Sequence, residues 1–496
     1  MIKATTLLLA VSLLCIHSVA VHAGQFKKID RKDLTPADLI KVQKITALTT
    51  DFSIPEKFEN MQAGAATSKS PSNRHAFSQP QANLSFADRE QFSIGNGLFR
   101  KLWVSSPAST LASDGVGPLF NARSCQSCHV KDGRGNLPAH GEPASSYLLG
   151  LGYFDTHTQK WVGDARYGDQ FQTVAVGGHL AEGDVVIRYQ DKVIEFTDGT
   201  TVTLREPLLS VDNLAYGDMQ ARTQLSPRIA PQMIGMGLLE AITDEDIESR
   251  DDPQDSDGDG ISGRVSRIVE GATSRIGRFG LKAAKPTILE QSAVAFSNDM
   301  GLSTALHQAT SGDCTTAQIK CLSAPHGEQL RLGKHEVPSH LLELVAFYSG
   351  NLAPPARRNV GKPEVLRGKQ LFYQAGCVSC HVPKYVTSRA AKDPQQRFQL
   401  IWPYTDMLVH DMGDDLADGL GHNGNVSGRE WRTPPLWGIG LTQTVNTQAT
   451  FLHDGRARTL LEAVLWHGGE ALAARTEVQA MSVQQRFDLV NFLESL

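Results

Sequence analysis

The sequence lacks a strong excess of charge of either sign. Its 53 acidic and 48 basic side chains leave a formal net charge of -5 over 496 residues. A field this weak gives no reason to expect nucleic acid as a partner, so we expect small molecules or other proteins. The hydrophobic share of 41% and the charged share of 20% are ordinary for a globular protein. The chain is too long for one hydrophobic core, and two or three domains are predicted.

Long hydrophobic runs are also absent beyond the start of the chain, so no later stretch is predicted to cross a bilayer. The chain starts with the positive segment Met1-Ile2-Lys3, an apolar run over residues 5–21, and the small-residue pattern Val21-His22-Ala23. Together these features are typical of a secretory signal peptide, here residues 1–23. An uncleaved anchor is the alternative. We expect cleavage before Gly24 and a periplasmic protein that does not span the membrane.

Cysteine is scarce, with seven residues in the chain, and Cys15 lies inside the predicted signal peptide. The other six form three pairs. One pair, Cys314 and Cys321, lies in a polar loop with six residues between its members. In an oxidising compartment a disulfide is the default for such a pair, and metal binding is the alternative. We predict a disulfide.

The other two pairs each belong to a Cys-x-x-Cys-His motif. This spacing suits covalent haem, because two sulfurs add to the vinyl groups and the adjacent histidine then lies under the iron. A single copy can arise by chance or form a redox or zinc pair. Two copies in an exported chain, each followed by a Gly or Pro loop, favour haem. The sequence predicts two covalently bound haem c groups, held by Cys125, Cys128 and His129 and by Cys377, Cys380 and His381.

The sixth position of each iron decides whether that haem carries electrons or reacts with a small molecule. His467 ends an amphipathic helical stretch before Gly468-Gly469 and is predicted to ligate the second iron. A role as a partner of the helix dipole is the alternative, and His453 and Met481 are the reserve ligands. For the first iron no ligand stands out, since His140 lies in a Gly- and Pro-containing loop where it can also be solvent-exposed. We therefore expect the first iron to have an open sixth coordination position.

Composition along the chain predicts four segments. A polar N-terminal arm follows the signal peptide over residues 24–87, a first haem domain covers 88–357, and a second haem domain covers 358–496. Short β-branched runs and an Asp198-Gly199 turn predict a small β insertion near residues 165–206.

Alternating carboxylates at Asp255, Asp257 and Asp259, followed by Gly260, resemble the start of a calcium-binding loop. The twelfth position is Ser266, where the EF-hand has a bidentate glutamate. An acidic surface turn is therefore the alternative to a calcium site.

Three further runs carry a family resemblance: Phe451-Leu-His-Asp-Gly-Arg-Ala-Arg458 through Ala471, Glu430-Trp-Arg-Thr-Pro-Pro-Leu-Trp-Gly-Ile-Gly440, and Gly277-Arg-Phe-Gly-Leu-Lys282. With both haem motifs, they resemble the di-haem oxidoreductase family, also labelled thiol oxidoreductase. That family is related to bacterial di-haem cytochrome c peroxidases, MauG and rubber oxygenases. The resemblance covers residues 88–496. It implies a mainly α-helical fold of two cytochrome c-like domains whose haems face each other across the interface.

The resemblance also implies roles for individual residues. His467 falls where the peroxidases carry a methionine ligand, which implies a bis-histidine second haem of lower potential. Thr442 falls where the peroxidases have a calcium ligand between the haems, although extra residues precede Phe451. Gln224 and Glu240 fall near the positions of two distal catalytic residues that move protons. A helix-surface position is the alternative for Glu240, since no glutamate has the peroxidase spacing.

These features predict a periplasmic di-haem oxidoreductase that reduces peroxide at one haem with electrons passed through the other. Peroxide or oxygen is the expected oxidant, and a small redox protein or small molecule the expected donor. The alternatives are an oxygenase or oxidase acting on an organic or protein substrate, and a di-haem electron carrier without enzymatic activity.

Overall fold

The computed structural model describes residues 29–139, 141–422 and 425–496. The predicted signal peptide and His140 lie outside these ranges. The α-helices are Pro36–Thr46, Phe86–Arg100, Cys125–Cys128, Met236–Glu240, Asp244–Glu248, Ile288–Val294, Ile319–Leu322, Ser339–Gly350, Pro363–Gln374, Thr442–Val445, Leu460–Leu465, Leu472–Ala480 and Val483–Ser495. The strands are Leu119–Phe120, Tyr147–Asp155, Lys160–Val162, Gln170–Phe171, Val174–Ala175, Asp184–Glu195, Thr201–Asp212, Gln224–Ile229, Arg267–Glu270, Thr273–Ile276, Tyr385–Val386, Leu400–Ile401, Val409–Asp411 and Glu430–Arg432.

The predicted mainly α-helical class is wrong. Helices of all types hold 29% of the described residues, and strands and bridges hold 18% in many small sheets. The reason is that long segments between the helices form strand pairs and loops. Asp184–Glu195 and Thr201–Asp212 form a long antiparallel hairpin, and Tyr147–Asp155 pairs with Gln224–Ile229 outside the region where a β insertion was predicted.

Two pairs of packed helices organise the chain. Phe86–Arg100 packs against Ser339–Gly350, where a Cβ at Gly95 would lie 2.4 Å from the Leu344 carbonyl oxygen. Pro363–Gln374 packs against Val483–Ser495, where a Cβ at Gly368 would lie 2.0 Å from a backbone oxygen. In both pairs a glycine therefore permits close helix contact.

Each helix pair carries a phenylalanine towards one of the Cys-x-x-Cys-His motifs. The Phe99 ring centroid lies 6.1 Å from that of His129, and the Phe372 centroid lies 6.1 Å from that of His381. The two motifs thus occupy equivalent positions beside two similar helix pairs.

The largest hydrophobic cluster joins residues that are distant in sequence. It contains Ala63 and Phe77 from the N-terminal segment, Tyr348 from the first helix pair, and Trp437 and Val445 from beyond the second motif. The segment that was predicted as a polar arm therefore contributes buried side chains in its described part. A second cluster, centred on Phe372 and Phe492, supports the second helix pair. Within the described ranges, no helix has the length and apolar character needed to cross a membrane.

Candidate functional site

A cavity of about 1060 Å³ lies between the two motifs. The cavity is lined by all six residues of the two motifs: Cys125, Cys128, His129, Cys377, Cys380 and His381. The fold therefore brings together two motifs that are more than half the chain apart. Such a cavity has the size range of ligand and cofactor sites in proteins.

The first motif is held by a short capped helix. Cys125–Cys128 begins after Ser124, whose hydroxyl accepts a hydrogen bond from the Ser127 backbone. His129 then donates from Nδ1 to the Pro231 carbonyl oxygen at 2.7 Å. Burial lowers the pKa of His129 to about 4. The ring is therefore neutral, with its lone pair on Nε2, which is the form that ligates a metal.

The second motif repeats this arrangement with different neighbours. Gly376 precedes it with a φ of 80°, a left-handed conformation that favours glycine. His381 donates from Nδ1 to the Tyr404 carbonyl oxygen at 2.9 Å, and burial lowers its pKa to about 4. Burial also raises the pKa of Cys125 and of Cys377 to about 12, so these sulfurs are neutral thiols in the chain itself.

His467 shows the same arrangement a third time. Thr459 caps the helix Leu460–Leu465 by accepting from the Glu462 backbone, and His467 follows at its end. Its Nδ1 donates to the Ala463 carbonyl oxygen at 2.8 Å. His467 lines the cavity, burial lowers its pKa, and a positive charge on it would lower the pKa of His381 further. Three neutral histidines therefore line one cavity, each with Nδ1 bound to a backbone carbonyl and Nε2 left as the acceptor.

The reserve ligands differ from these three histidines. His453 lines the cavity, but its Nε2 is buried without a hydrogen-bond partner, and its ring stacks on Trp431 at 3.7 Å between centroids. Met481 packs in the hydrophobic cluster of the second helix pair and is not among the residues that line the cavity.

The two predicted proton-transfer residues lie outside the cavity lining. Gln224 is exposed and donates to the Arg222 carbonyl oxygen at 3.3 Å. Glu240 ends a short helix and accepts from the Ile288 backbone at 3.1 Å. Burial raises the pKa of Glu240. Its predicted role in proton transfer stays a prediction.

The predicted calcium ligands are brought together only in part. Carboxylate oxygens of Asp255, Asp257 and Asp259 lie within 4.8 Å of one another, and Asp257 and Asp259 border the cavity. Thr442 is buried in a helical turn, where its hydroxyl lies 3.5 Å from Gln232. Calcium binding stays a prediction.

The predicted disulfide pair lies close together. The Cα atoms of Cys314 and Cys321 are 6.1 Å apart, and among the described cysteines these two alone have sulfurs at bonding distance. This separation is within the range that a disulfide requires.

Sequence reasoning missed a buried ion cluster beside the second motif. His410 binds the Asp406 carboxylate through Nε2 at 2.7 Å and the Glu470 carboxylate through Nδ1 at 2.6 Å. Its Nδ1 also lies 3.7 Å from the Cys380 sulfur. The local signal in the sequence is the spacing of Asp406 and His410, which are four residues apart. Glu470 and Cys380 are 60 and 30 residues away from His410, so their contacts could not be read from the sequence.

Comparison with known proteins fits this geometry. The model of the family described as "Di-haem oxidoreductase, putative peroxidase" matches residues 59–150 and 161–496, well over half of the chain. The chain belongs to the di-haem oxidoreductase family. The resemblance read from the motifs is thereby confirmed, and the match begins earlier than residue 88, within the segment predicted as a polar arm. Membership makes the chain a haem-containing oxidoreductase.

Other comparisons are distant. Among solved structures, the chain is similar to a chain of hydrazine synthase from Kuenenia stuttgartiensis under 20 bar of xenon. The identity is 17%, over 41% of this chain and 70% of that chain, with a TM-score of 0.20. A likeness this distant supports no conclusion about fold or function. No curated protein matches the chain.

Proposed function

We propose that this di-haem oxidoreductase is a periplasmic peroxidase. It carries two covalent c-type haems, reduces peroxide at the first and receives electrons through the second. The observation that carries the proposal is the set of three cavity histidines, His129, His381 and His467, each with Nδ1 bound to a backbone carbonyl. Four cysteines at attachment spacing line the same cavity. The periplasmic location rests on the signal-like first 23 residues.

The residues present fit two haems of unequal ligation. Cys125 and Cys128 would hold the first haem with His129 as its axial ligand. Cys377 and Cys380 would hold the second, with His381 and His467 on its iron. When bound, haem supplies an iron that changes oxidation state and, where a coordination position is open, takes a small oxidant.

The chain's own residues orient the three histidine rings and exclude water from the site. The carbonyls of Pro231, Tyr404 and Ala463 fix the ring orientation and tautomer of the three histidines. Their burial excludes water and keeps the rings neutral.

The asymmetry between the motifs supports peroxide binding at the first. Three other histidines line the cavity in the described chain, and none shows the same arrangement. His410 is bound to carboxylates through both nitrogens. His422 is bonded through Nε2 to the Lys282 carbonyl oxygen. The Nε2 atom of His453 is buried without a hydrogen-bond partner. Reduction of one peroxide consumes two electrons and two protons and yields two waters.

The first experiment tests attachment and ligation in protein matured by a c-haem assembly system. We expect a mass that includes two haems, which acid-acetone does not extract, and a ferric electron paramagnetic resonance spectrum with one high-spin and one low-spin haem. Cyanide should bind one haem per chain. The matched control is the double variant Cys314→Ser, Cys321→Ser, which should keep both haems, whereas Cys125→Ala with Cys128→Ala should lose one.

The second experiment assigns the ligand and the reaction. His467→Ala should convert the low-spin haem to high-spin or to another low-spin form and leave the first haem unchanged, while His422→Ala should alter neither spectrum. Peroxide should be consumed with a reduced cytochrome c as donor. An unchanged spectrum in His467→Ala would move the assignment to His453 or Met481. Two low-spin haems that bind no cyanide would make the protein an electron carrier. An open first haem that oxidises an organic substrate but does not turn over peroxide would make it an oxygenase or oxidase.

A further inference from the structure

Three arginines of the cavity lack an acidic partner. Arg134, Arg228 and Arg432 all line it. Every Asp and Glu of the chain falls within the described residues, and none places a carboxylate oxygen within 4.0 Å of these guanidinium groups. Their hydrogen bonds go to neutral oxygens instead. Arg134 donates to Thr450, Arg228 to the Ser226 hydroxyl and Arg432 to Gly280, at 2.8, 3.0 and 3.2 Å.

The acids nearest to these arginines are already paired with other cations. Asp454, which acts on Arg134, binds Arg456 at 2.7 Å. Asp418, which acts on Arg228, lies 3.5 Å from the Lys282 ammonium.

The third arginine follows the same pattern. Asp406, which acts on Arg432, binds His410 at 2.7 Å. The chain therefore leaves three positive charges along the cavity without counter-charges of their own.

An enclosed cation of this kind is costly unless an anion neutralises it. Burial lowers the pKa of Arg134 and of Arg432 to about 10, which still leaves both charged at neutral pH. Two enclosed arginines outside the cavity lining are paired with acids: Arg357 binds Glu59, and Arg456 binds Asp454. The cavity arginines differ in that they line the space that a ligand would fill.

We propose that Arg134, Arg228 and Arg432 bind the carboxylate groups of the two haems. This inference rests on the proposed function, because it assigns the counter-charges of the cofactors proposed there. A guanidinium group suits the role, since its planar N–H donors match a carboxylate and its charge persists.

Two of the arginines are assigned to the haem of the first motif. Arg134 lies five residues after His129 and is anchored to the loop before His453 through Thr450. Arg228 precedes Pro231, whose carbonyl oxygen orients His129.

Arg432 is assigned to the haem of the second motif. It pairs with Val409 in the short strand ladder, next to His410, which contacts Cys380. The carboxylates of the first haem are thus held by Arg134 and Arg228, and those of the second by Arg432.

The test is the midpoint potential of each haem in the mature protein, measured by spectroelectrochemistry. Removing a cation beside a haem disfavours the added electron, so Arg134→Gln and Arg228→Gln should lower the potential of the high-spin haem. Arg432→Gln should lower that of the low-spin haem. We expect about a tenfold change in the reduction equilibrium, which is about 59 mV for a one-electron couple. The corresponding Lys variants, which keep the charge, should retain most of the wild-type potential.

Arg278→Gln is the matched control. Arg278 is buried and paired with Asp244 at 2.5 Å, and it is absent from the cavity lining. Its loss should leave both potentials unchanged. If the cavity variants behave like this control while carrying two haems, the inference fails and the proposed function stands. Protein that matures without covalent haem would overturn both.

A second arm separates the haem carboxylates from a free carboxylate substrate. Succinate is added to the wild-type holoprotein and to the Arg134→Gln variant. If the arginines are already neutralised by the haems, succinate should change neither the spectrum nor the potentials. A saturable response in the wild type that disappears in the variant would show that the arginines bind external carboxylates, and would overturn the assignment.

Discussion

Replacing His410 with glutamine should destabilise the protein, although it leaves the proposed haem ligands intact. His410 lies between the Asp406 and Glu470 carboxylates at 2.7 and 2.6 Å. Burial acts to lower the pKa of His410, but the Cys380 sulfur and the Asp406 carboxylate raise it well above its usual value. Since Cys380 would be an uncharged thioether in the haem protein, the carboxylates alone would have to keep the imidazole protonated there.

The expected loss follows from the contacts that remain. A hydrogen bond to a charged group contributes about 1.5–3 kcal/mol, so two contribute about 3–6 kcal/mol. Removing one member of a buried ion pair costs about 3–5 kcal/mol. Asp406 keeps a bond from the Leu408 backbone at 2.9 Å, and Glu470 keeps one from the Asp411 backbone at 3.0 Å. Because both carboxylates keep these partners, we expect His410→Gln to lower the free energy of unfolding by about 3 kcal/mol, the lower end of both ranges.

The assay is urea denaturation, with His422→Gln as the control. His422 lines the same cavity, and its Nε2 contacts two neutral oxygens, the Lys282 carbonyl at 2.8 Å and the Ser266 hydroxyl at 3.3 Å. Its replacement should therefore lower the free energy of unfolding by less than that of His410, about 1–2 kcal/mol. If His410→Gln costs no more than His422→Gln, the cluster does not carry a buried charge.

The pH dependence supplies an independent check. The raised pKa of His410 adds stability that is complete below pH ~6.5 and is lost as pH rises through the folded-state value. Despite burial, which acts to raise them, the pKa values of Asp406 and Glu470 are lowered by His410. Their contribution is complete above about pH 5 and is lost on acidification. The difference between wild type and His410→Gln should therefore be largest from about pH 5 to 6.5, and a difference that grows above pH 8 would contradict the reasoning.

Three further predictions concern groups outside the proposed ligand set. Burial raises the pKa of Glu182 to about 8, so its ionisation lowers the stability of the folded protein as pH rises from ~4.3 to 8. Glu182→Gln should remove this loss of stability in urea unfolding, and a variant with the wild-type pH profile would refute the prediction. Replacing Cys314 and Cys321 with serine should cost about 2.5 kcal/mol by the loop-closure estimate, and mass spectrometry should find both sulfurs unalkylated before reduction. If Glu240 and Gln224 move protons, as the resemblance implies, Glu240→Gln and Gln224→Ala should each lower peroxide turnover by about 100-fold or more; both residues lie outside the cavity lining, and an unchanged turnover would rule the role out.

The features that could be read from the sequence are those whose chemistry is local. Each Cys-x-x-Cys-His motif spans five residues. The bond from His467 to Ala463 spans one helical turn, so the end of a helix was enough to single out this histidine. The family, too, could be recognised from short contiguous runs and is confirmed by the match over most of the chain.

The features that could not be read depend on contacts between distant residues. The carbonyls of Pro231 and Tyr404 orient the motif histidines from loops far along the chain. The strand Gln224–Ile229 was not predicted; it contains Pro227 and, among the described strands, pairs only with Tyr147–Asp155, a position that tolerates proline. The mainly α-helical class was implied by the family resemblance, which rests on short runs and does not include the strand pairs that form between the helices.

One loop of the cavity wall connects the two motifs. The loop before the His467 helix is bound to the first motif: Arg134 donates to Thr450 at 2.8 Å, and the Ile229 backbone donates to the His453 carbonyl oxygen at 2.7 Å. The same loop leads directly into Leu460–Leu465, which presents His467 to the second motif. Residues 450–467 therefore connect the first motif to the helix that precedes His467 through hydrogen bonds of both side chains and backbone.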